Sequence, residues 1–242
     1  MENSETNVKA LERALKILDC FTRENPRLSL VEIAQKVGLS PSTTTRMIGT
    51  LQNNGYLDRD PLTLQYRLGY RLANLGAVCL EGCELREIAR PYLVKIRDRY
   101  NESVGLYVIS RSQRVCIDCV HSTQPLHRVI EIGSRMEMTR GAAGKLLLAY
   151  QTEEEIQRFL LLDSFVTKKE LAEIRQAGYA VSVNEHEQGL TAIAAPIFNA
   201  EHTIEAALSV SGPCTRIDAA LCSEIAEYII GMAGEISEKL GF

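Results

Sequence analysis

Residues 28–57, LSLVEIAQKVGLSPSTTTRMIGTLQNNGYL, constrain the fold more than any other part of the chain. Ser29-Leu30-Val31-Glu32 is a capping box, in which a Ser hydroxyl and a Glu carboxylate satisfy the orphan amides of a helix start. Leu30, Ile33, Ala34 and Val37 then recur at three- and four-residue spacing along one face of a short helix, and Gly38 supplies a left-handed stop. Ser40 and Pro41 form an N-cap and first-turn pair that starts a second helix almost at once, and Asn53-Asn54-Gly55 ends it. Two short helices joined by so brief a turn are a helix-turn-helix, whose second helix is a rod of the size that enters a DNA major groove.

The two faces of that rod differ. Met47, Ile48 and Leu51 form an apolar side that must pack inward, while Ser42, Thr43, Thr45, Arg46 and Thr50 form the other. Hydroxyls and a guanidinium with no acidic residue among them approach phosphates and base edges without like-charge repulsion. The alternative is a helical hairpin with a solvated polar face. Next, Tyr56-Leu57-Asp58-Arg59 and residues 64–69 flank the turn Asp60-Pro61-Leu62-Thr63, which reads as a β-hairpin, a wing beside the rod. Arg59 and Arg67 either reach the sugar-phosphate backbone or are ordinary solvated strand residues.

At 242 residues the chain exceeds one ordinary domain, so two are expected. A net charge of −4 argues against nucleic acid only if it is uniform. Residues 1–75 carry +2 and residues 76–242 carry −6, an asymmetry of the sign a basic DNA-binding head requires. The polar start MENSETNVKA has no signal-peptide core and no long apolar run follows, so a cytoplasmic protein is expected, with its seven cysteines reduced. Cys116-x-x-Cys119 with nearby His121 suggests a metal, yet strand positions three apart face opposite sides of a sheet, which argues against chelation. No cofactor is called for.

Apolar spacing predicts a first helix over 8–21 with Val8, Leu11, Ala14, Leu15, Leu18 and Phe21 on one side, more than a small domain needs and thus a candidate subunit contact. A linker helix is expected over 70–83 and a longer helix from Glu84 through Ile96. Strands are expected at 103–110, 114–120, 128–132, 179–183, 190–198 and 203–211. Helices are expected at 146–150, after capping boxes at Thr152-x-x-Glu155 and Thr167-x-x-Glu170, and over 216–240. Interleaved in this order they predict an α+β domain, an antiparallel sheet covered by helices.

Within it, Gly141-Ala142-Ala143-Gly144 opens a helix with small side chains, leaving amides and a positive helix end for an anion such as a carboxylate. Ser209 and Ser211 share one strand face, as do Ala192 and Ala194, whose size leaves room for a ligand or simply permits tight sheet packing. A hydrolase reading of Ser182, Glu185 and His186 lacks a Gly-x-Ser-x-Gly elbow and an oxyanion hole, so catalysis is not expected.

Nearly the whole chain resembles the IclR family of transcriptional regulators. The resemblance rests on Val8-x-x-Leu11-x-Arg13-Ala14-Leu15-x-Ile17-Leu18, on Ser42-Thr43-x-x-Arg46, on Tyr66-x-Leu68-Gly69, and above all on Gly178-x3-Ser182-x2-Glu185-x6-Ala192-Ile193-Ala194-x2-Ile197-Phe198-Asn199. Thr44 replaces a usually apolar residue, and Pro41 follows Ser40 rather than preceding it. The resemblance implies a winged helix-turn-helix (1–69), a linker helix (70–83) and a GAF-like effector-binding domain (84–242), in dimers that often pair into tetramers. It implies a double-stranded DNA operator, a role that is more often repression, and an effector pocket at Met136, Ala142, Ala143, Ser182, Leu190, Ala192, Ser209 and Ser211. Because the family often has Asp at Ser182 and a thiol or hydroxyl at Ala192, the pocket is expected to be roomier and less polar, suited to a small organic acid with an apolar or aromatic body. The competing reading is a small-molecule-binding or interaction module without DNA binding.

Overall fold

The computed structural model describes residues 8–242, so most of the polar start read as leaderless lies outside the described residues. Its contacts divide the chain into one unit ending at Glu81 and another beginning at Gly82.

The first unit runs α1 (Lys9–Leu18), α2 (Leu30–Val37), α3 (Pro41–Asn53), β1 (Leu57–Arg59), β2 (Tyr66–Leu68) and α4 (Tyr70–Leu80). The capping box closes as expected: the Ser29 N–H donates to Glu32 Oε2 at 2.7 Å and the Glu32 N–H to Ser29 Oγ at 3.3 Å. Gly38 ends α2 with φ of 65°, and Ser40 with Pro41 starts α3. Around Ile17, Leu28, Ile33, Ile48, Leu57 and Tyr66 the helices and the antiparallel hairpin share one core.

Here α1 departs from expectation. It stops at Leu18, and Ile17, absent from the predicted stripe, is its fully buried residue, while Val8, Leu11 and Leu15 are exposed. The core needs only the C-terminal turn of α1, so the predicted stripe leaves its other members to solvent. Likewise α4 ends at Leu80, short of Cys83, and buries none of its residues.

The second unit comprises α5 (Glu84–Tyr100), β3 (Ser103–Ser110), β4 (Gln113–Val120), β5 (Arg135–Met136), α6 (Ala142–Ala149), α7 (Glu153–Leu162), α8 (Lys168–Ala177), β6 (Ala180–Val183), β7 (Leu190–Phe198), β8 (Ile204–Pro213) and α9 (Ala219–Lys239). Its antiparallel sheet has the order β5-β4-β3-β8-β7-β6. Alternation along β7 and β8 feeds two cores: Ile193 and Leu208 pack with α5 and α9, Ala194 and Ala207 with α6 and α8. The α+β architecture with a helix-turn-helix at its head is the one the pattern predicted.

Three local expectations fail. No strand forms at 128–132: Ser103 Oγ donates to the Arg128 carbonyl at 2.6 Å and the His121 ring lies 2.7 Å from the Ile130 carbonyl, so side chains take the groups a ladder needs. Helix α6 starts at Ala142 rather than Leu146, because only small residues fit there; a Cβ on Gly144 would lie 2.8 Å from the carbonyl oxygens of Glu137 and Met138. At Thr167 only half of the capping box forms, the hydroxyl accepting from the Glu170 N–H, because Glu170 turns to Lys145.

If the Ser29 cap starts α2 as the geometry indicates, Ser29→Ala lowers stability by about 1 kcal/mol. Urea denaturation should show the midpoint fall with an unchanged slope.

Candidate functional site

In α3 the inward face is Thr44 and Ile48, both buried, with Met47 and Leu51 half-buried beside them. Thr44, polar where an apolar residue was expected, donates its hydroxyl to the Ser40 carbonyl at 3.0 Å, which lets it enter the core without an unpaired group. Ser42, Thr45, Arg46 and Thr50 are exposed and Thr43 half-exposed, so the five predicted residues lie on the outer side together. Arg46 has no ion-pair partner among the described residues, and α3 carries no acidic residue in its first turn. On the wing, Arg59 is exposed with its guanidinium 5.3 Å from the Tyr66 ring centre, whereas Arg67 is countered by Asp58 at 3.5 Å. The reading of Arg67 as a solvated strand residue therefore gains over that of Arg59.

A cavity lies in the second unit between the sheet and the start of α6. Ala142 and Ala143 form its helical wall; Ser182, Leu190, Ala192, Ser209 and Ser211 form its sheet wall. Strand register explains the grouping, since Ser182 pairs with Ala192, Ala192 with Ser211 and Ala194 with Ser209. Met136 is the one predicted residue that does not line it; the side chain packs instead at the edge of the α6 core.

Pattern reading missed Tyr107, Arg114, Arg128 and His186, which complete the wall. Arg114 had a signal: on β4 it stands in phase with buried Cys116, a charged residue at an inward position. Gly105 makes room for Tyr107, because a Cβ there would lie 2.8 Å from the phenol oxygen. Gly141, at φ of 74°, lets the Arg114 guanidinium approach to where a Cβ would be 3.1 Å away. These groups leave a space of about 20 Å³, room for little more than one water. Two arginines and a tyrosine occupy the wall beside the small residues on which the expectation of a roomier, less polar pocket rested.

Two of the four amides expected to await an anion are already satisfied. Gly141 N–H donates to Glu185 Oε2 and Ala142 N–H to Ser182 Oγ, each at 3.0 Å. Glu185 is held by Lys145, whose buried ammonium donates to it at 2.5 Å and to Glu170 at 2.7 Å. Removing that ammonium strands two carboxylates, so Lys145→Met should destabilise the protein by about 3 kcal/mol in chemical denaturation.

The Cys116 and Cys119 expectation is overturned in its geometry. A bulge at Ile117 pairs Cys116 with Tyr107 and Cys119 with Gly105, two residues of β3 on one face, so both thiols share a side, Cys116 Sγ donating to the Asp118 carbonyl at 3.2 Å and Cys119 Sγ to the Ile130 carbonyl at 3.3 Å. The neighbouring Cys116 thiol, with nearby His121 and Arg90, brings Cys119 down to about 6, while Cys116 is pushed up. No group of three His, Cys, Asp or Glu arranged for a metal exists among the described residues, and no described helix is long and apolar enough to cross a membrane.

Partial burial, then the charges of Arg114 and Arg128, hold His186 below the usual histidine range, with Glu187 and Glu137 opposing. A histidine kept neutral in the fold loses stability for it as pH falls below the unfolded value of 6.5, until the folded value is passed. Thermal melts at stepped pH should therefore show a shallower acid slope for His186→Gln than for the natural chain.

Comparison with known proteins agrees with this architecture. Models described as IclR helix-turn-helix domain and bacterial transcriptional regulator IclR C-terminal match residues 10–61 and 77–238. The acetate operon repressor of Salmonella typhimurium is 31% identical across 97% of this chain and 90% of its own. The crystal structure of Thermotoga maritima IclR superposes with a TM-score of 0.78 at 30% identity, covering 96% of this chain and 98% of that one. An IclR homologue from Microbacterium hydrocarbonoxydans, crystallised with 4-hydroxybenzoate, shares the fold at a TM-score of 0.79 and 22% identity, over 95% of this chain and 99% of its own. An exposed hydroxyl-and-arginine rod, a winged head and a helix-covered sheet thus meet the sequence matches on one conclusion: the chain belongs to the IclR family of DNA-binding transcriptional regulators.

Proposed function

We propose that the chain binds a specific operator through α3 and the wing, and that a small organic acid in the α6 cavity modulates this binding. One observation carries the first half: Ser42, Thr45, Arg46 and Thr50 project outward from a helix anchored by Thr44 and Ile48. Arg46 is the residue suited to a base edge or phosphate, and Arg59 adds affinity that is independent of sequence. Exposed Val8, Leu11 and Leu15 on α1 support a homodimer, which would set two α3 rods about one helical turn apart on a pseudo-palindrome; pairing of dimers into a tetramer extends the same reading. The naming of the Salmonella relative as a repressor favours repression. The protein works where the DNA is, in the cytoplasm.

For the ligand, the guanidiniums of Arg114 and Arg128 and the hydroxyl of Ser211 around one cavity support an acid, the Ser209 hydroxyl being committed to the Ile193 carbonyl at 2.9 Å. The homologue holding 4-hydroxybenzoate agrees in acid chemistry. A space of about 20 Å³ holds little more than a water, so lining side chains move on the entry of any organic acid, and a compact acid asks the least of them.

Electrophoretic mobility shift with duplex from upstream of the protein's own coding region tests the DNA half. The natural chain should retard it, and Arg46→Ala should weaken the specific complex by roughly tenfold or more. Equal retardation by both, or none by the natural chain, would return the protein to the class of ligand-binding modules.

A further inference from the structure

Arg114 carries the charge that the fold leaves unanswered. Its residue is 5% exposed, no acidic side chain pairs with it among the described residues, and its Nε is buried without a hydrogen-bond partner. Its nearest aromatic neighbour is Tyr107, with the guanidinium carbon 5.6 Å from the ring centre. A buried guanidinium stays protonated, and with Glu137 and Glu185 acting on it only from beyond ion-pair distance its desolvation is incompletely compensated. Such a residue points to an anion that the chain itself does not supply.

Arg128 reaches the same cavity from its rim, its side chain 9% exposed. Its one ion-pair partner is Glu187 at 2.7 Å, a side chain 55% exposed and so able to turn to water. An open hollow outside the cavity shares Arg128 and Leu190 with it, which makes this pair the boundary between solvent and the inner space. At the start of α6 the Gly141 and Ala142 amides are taken by Glu185 and Ser182, which leaves the guanidiniums as the charged donors on the wall. The two guanidiniums on this wall therefore stand as the anion receptors.

We infer that the ligand is a compact dianion, a short dicarboxylate, with one carboxylate on Arg114 and the other on Arg128 in place of Glu187. This rests on the reading of the cavity as the effector site. A short chain asks the least of lining side chains that must move in any case, since the space of about 20 Å³ holds little more than a water, and the Ser211 hydroxyl suits a polar rather than an apolar backbone. A monocarboxylate answers Arg114 alone and leaves Arg128 with Glu187.

Calorimetric titration of the full chain with malonate and succinate, against acetate and propionate, tests the assignment. One dicarboxylate should bind about 10- to 100-fold more tightly than the monoacids, the worth of one charge-assisted pair. Arg128→Gln should erase that preference and leave weak binding of both classes. Arg114→Gln should lose both, while raising the melting temperature of the ligand-free protein, since it removes an unpaired buried charge; a merely structural arginine would lower it. Monoacids binding as tightly as diacids, with Arg114→Gln abolishing both, would overturn the dianion and spare the acid reading. Undiminished malonate binding by Arg114→Gln would overturn the assignment of Arg114. If no acid binds while a neutral compound occupies the site, the acid reading falls with it.

Discussion

Lys145 places an ammonium inside a helix whose every residue is buried, and the geometry of the second unit follows from how that charge is answered. Glu170 from α8 and Glu185 from the turn after β6 close on it, and the second oxygen of Glu185 takes the Gly141 N–H. A buried charge with both partners in place is tolerated, whereas one that loses a partner costs about 3–5 kcal/mol. Helix α6, helix α8 and the β6–β7 turn are therefore held as one block. The small residues of α6 belong to the same constraint, because a helix drawn this close to residues 137 and 138 has no room for a side chain at Gly144.

Using the first amides of α6 internally changes what the cavity can recognise. A helix start with open N–H groups binds anions through its dipole and donors. Here Glu185 plays that anion at the Gly141 N–H, and under the proposed function recognition falls to Arg114 and Arg128. The first unit solves the opposite problem. Thr45 and Thr50 on α3 donate to the carbonyls of Pro41 and Arg46 at 2.8 and 3.1 Å, so these hydroxyls are satisfied without any partner molecule. Their remaining lone pairs face outward, and a duplex adds contacts to a surface already at rest. Recognition by α3 adds to a finished fold; recognition in the cavity completes an unfinished one.

What sequence pattern revealed, and what it hid, divides along the same line. Capping boxes at Ser29 and Thr152, the αL stop at Gly38 and the burial of Ile48 are local, and each was legible from spacing. Strand phase also placed Ser209 and Ser211 correctly on one wall. Ile17 escaped because only one turn of α1 meets the core, so the longer stripe did not mark burial. Arg114 and Arg128 escaped because their meeting depends on β4 and the loop after it converging on α6, which no local period encodes. One inserted residue at Ile117 was enough to invert the facing of Cys116 and Cys119, since a strand's period of two gives no warning of a bulge.

A ligand that answers Arg114 stabilises the form that binds it, by about 2.7 kcal/mol at a hundredfold excess over its dissociation constant. That energy alters DNA affinity only if two conformations of the protein bind the ligand unequally. The β6–β7 turn is the element placed to differ. Glu185 within it clamps α6, and Glu187, two residues on, holds Arg128 at the cavity rim. The turn is braced across its own ends by the Gly189 N–H donating to Asn184 Oδ1 at 2.6 Å, so it responds as a unit. An anion that draws Arg128 inward releases Glu187 from the same short segment that Glu185 anchors. Under the proposed function, the ligand's charge and the clamp on α6 act through one turn, which would let a small ion bias the placement of a whole helix.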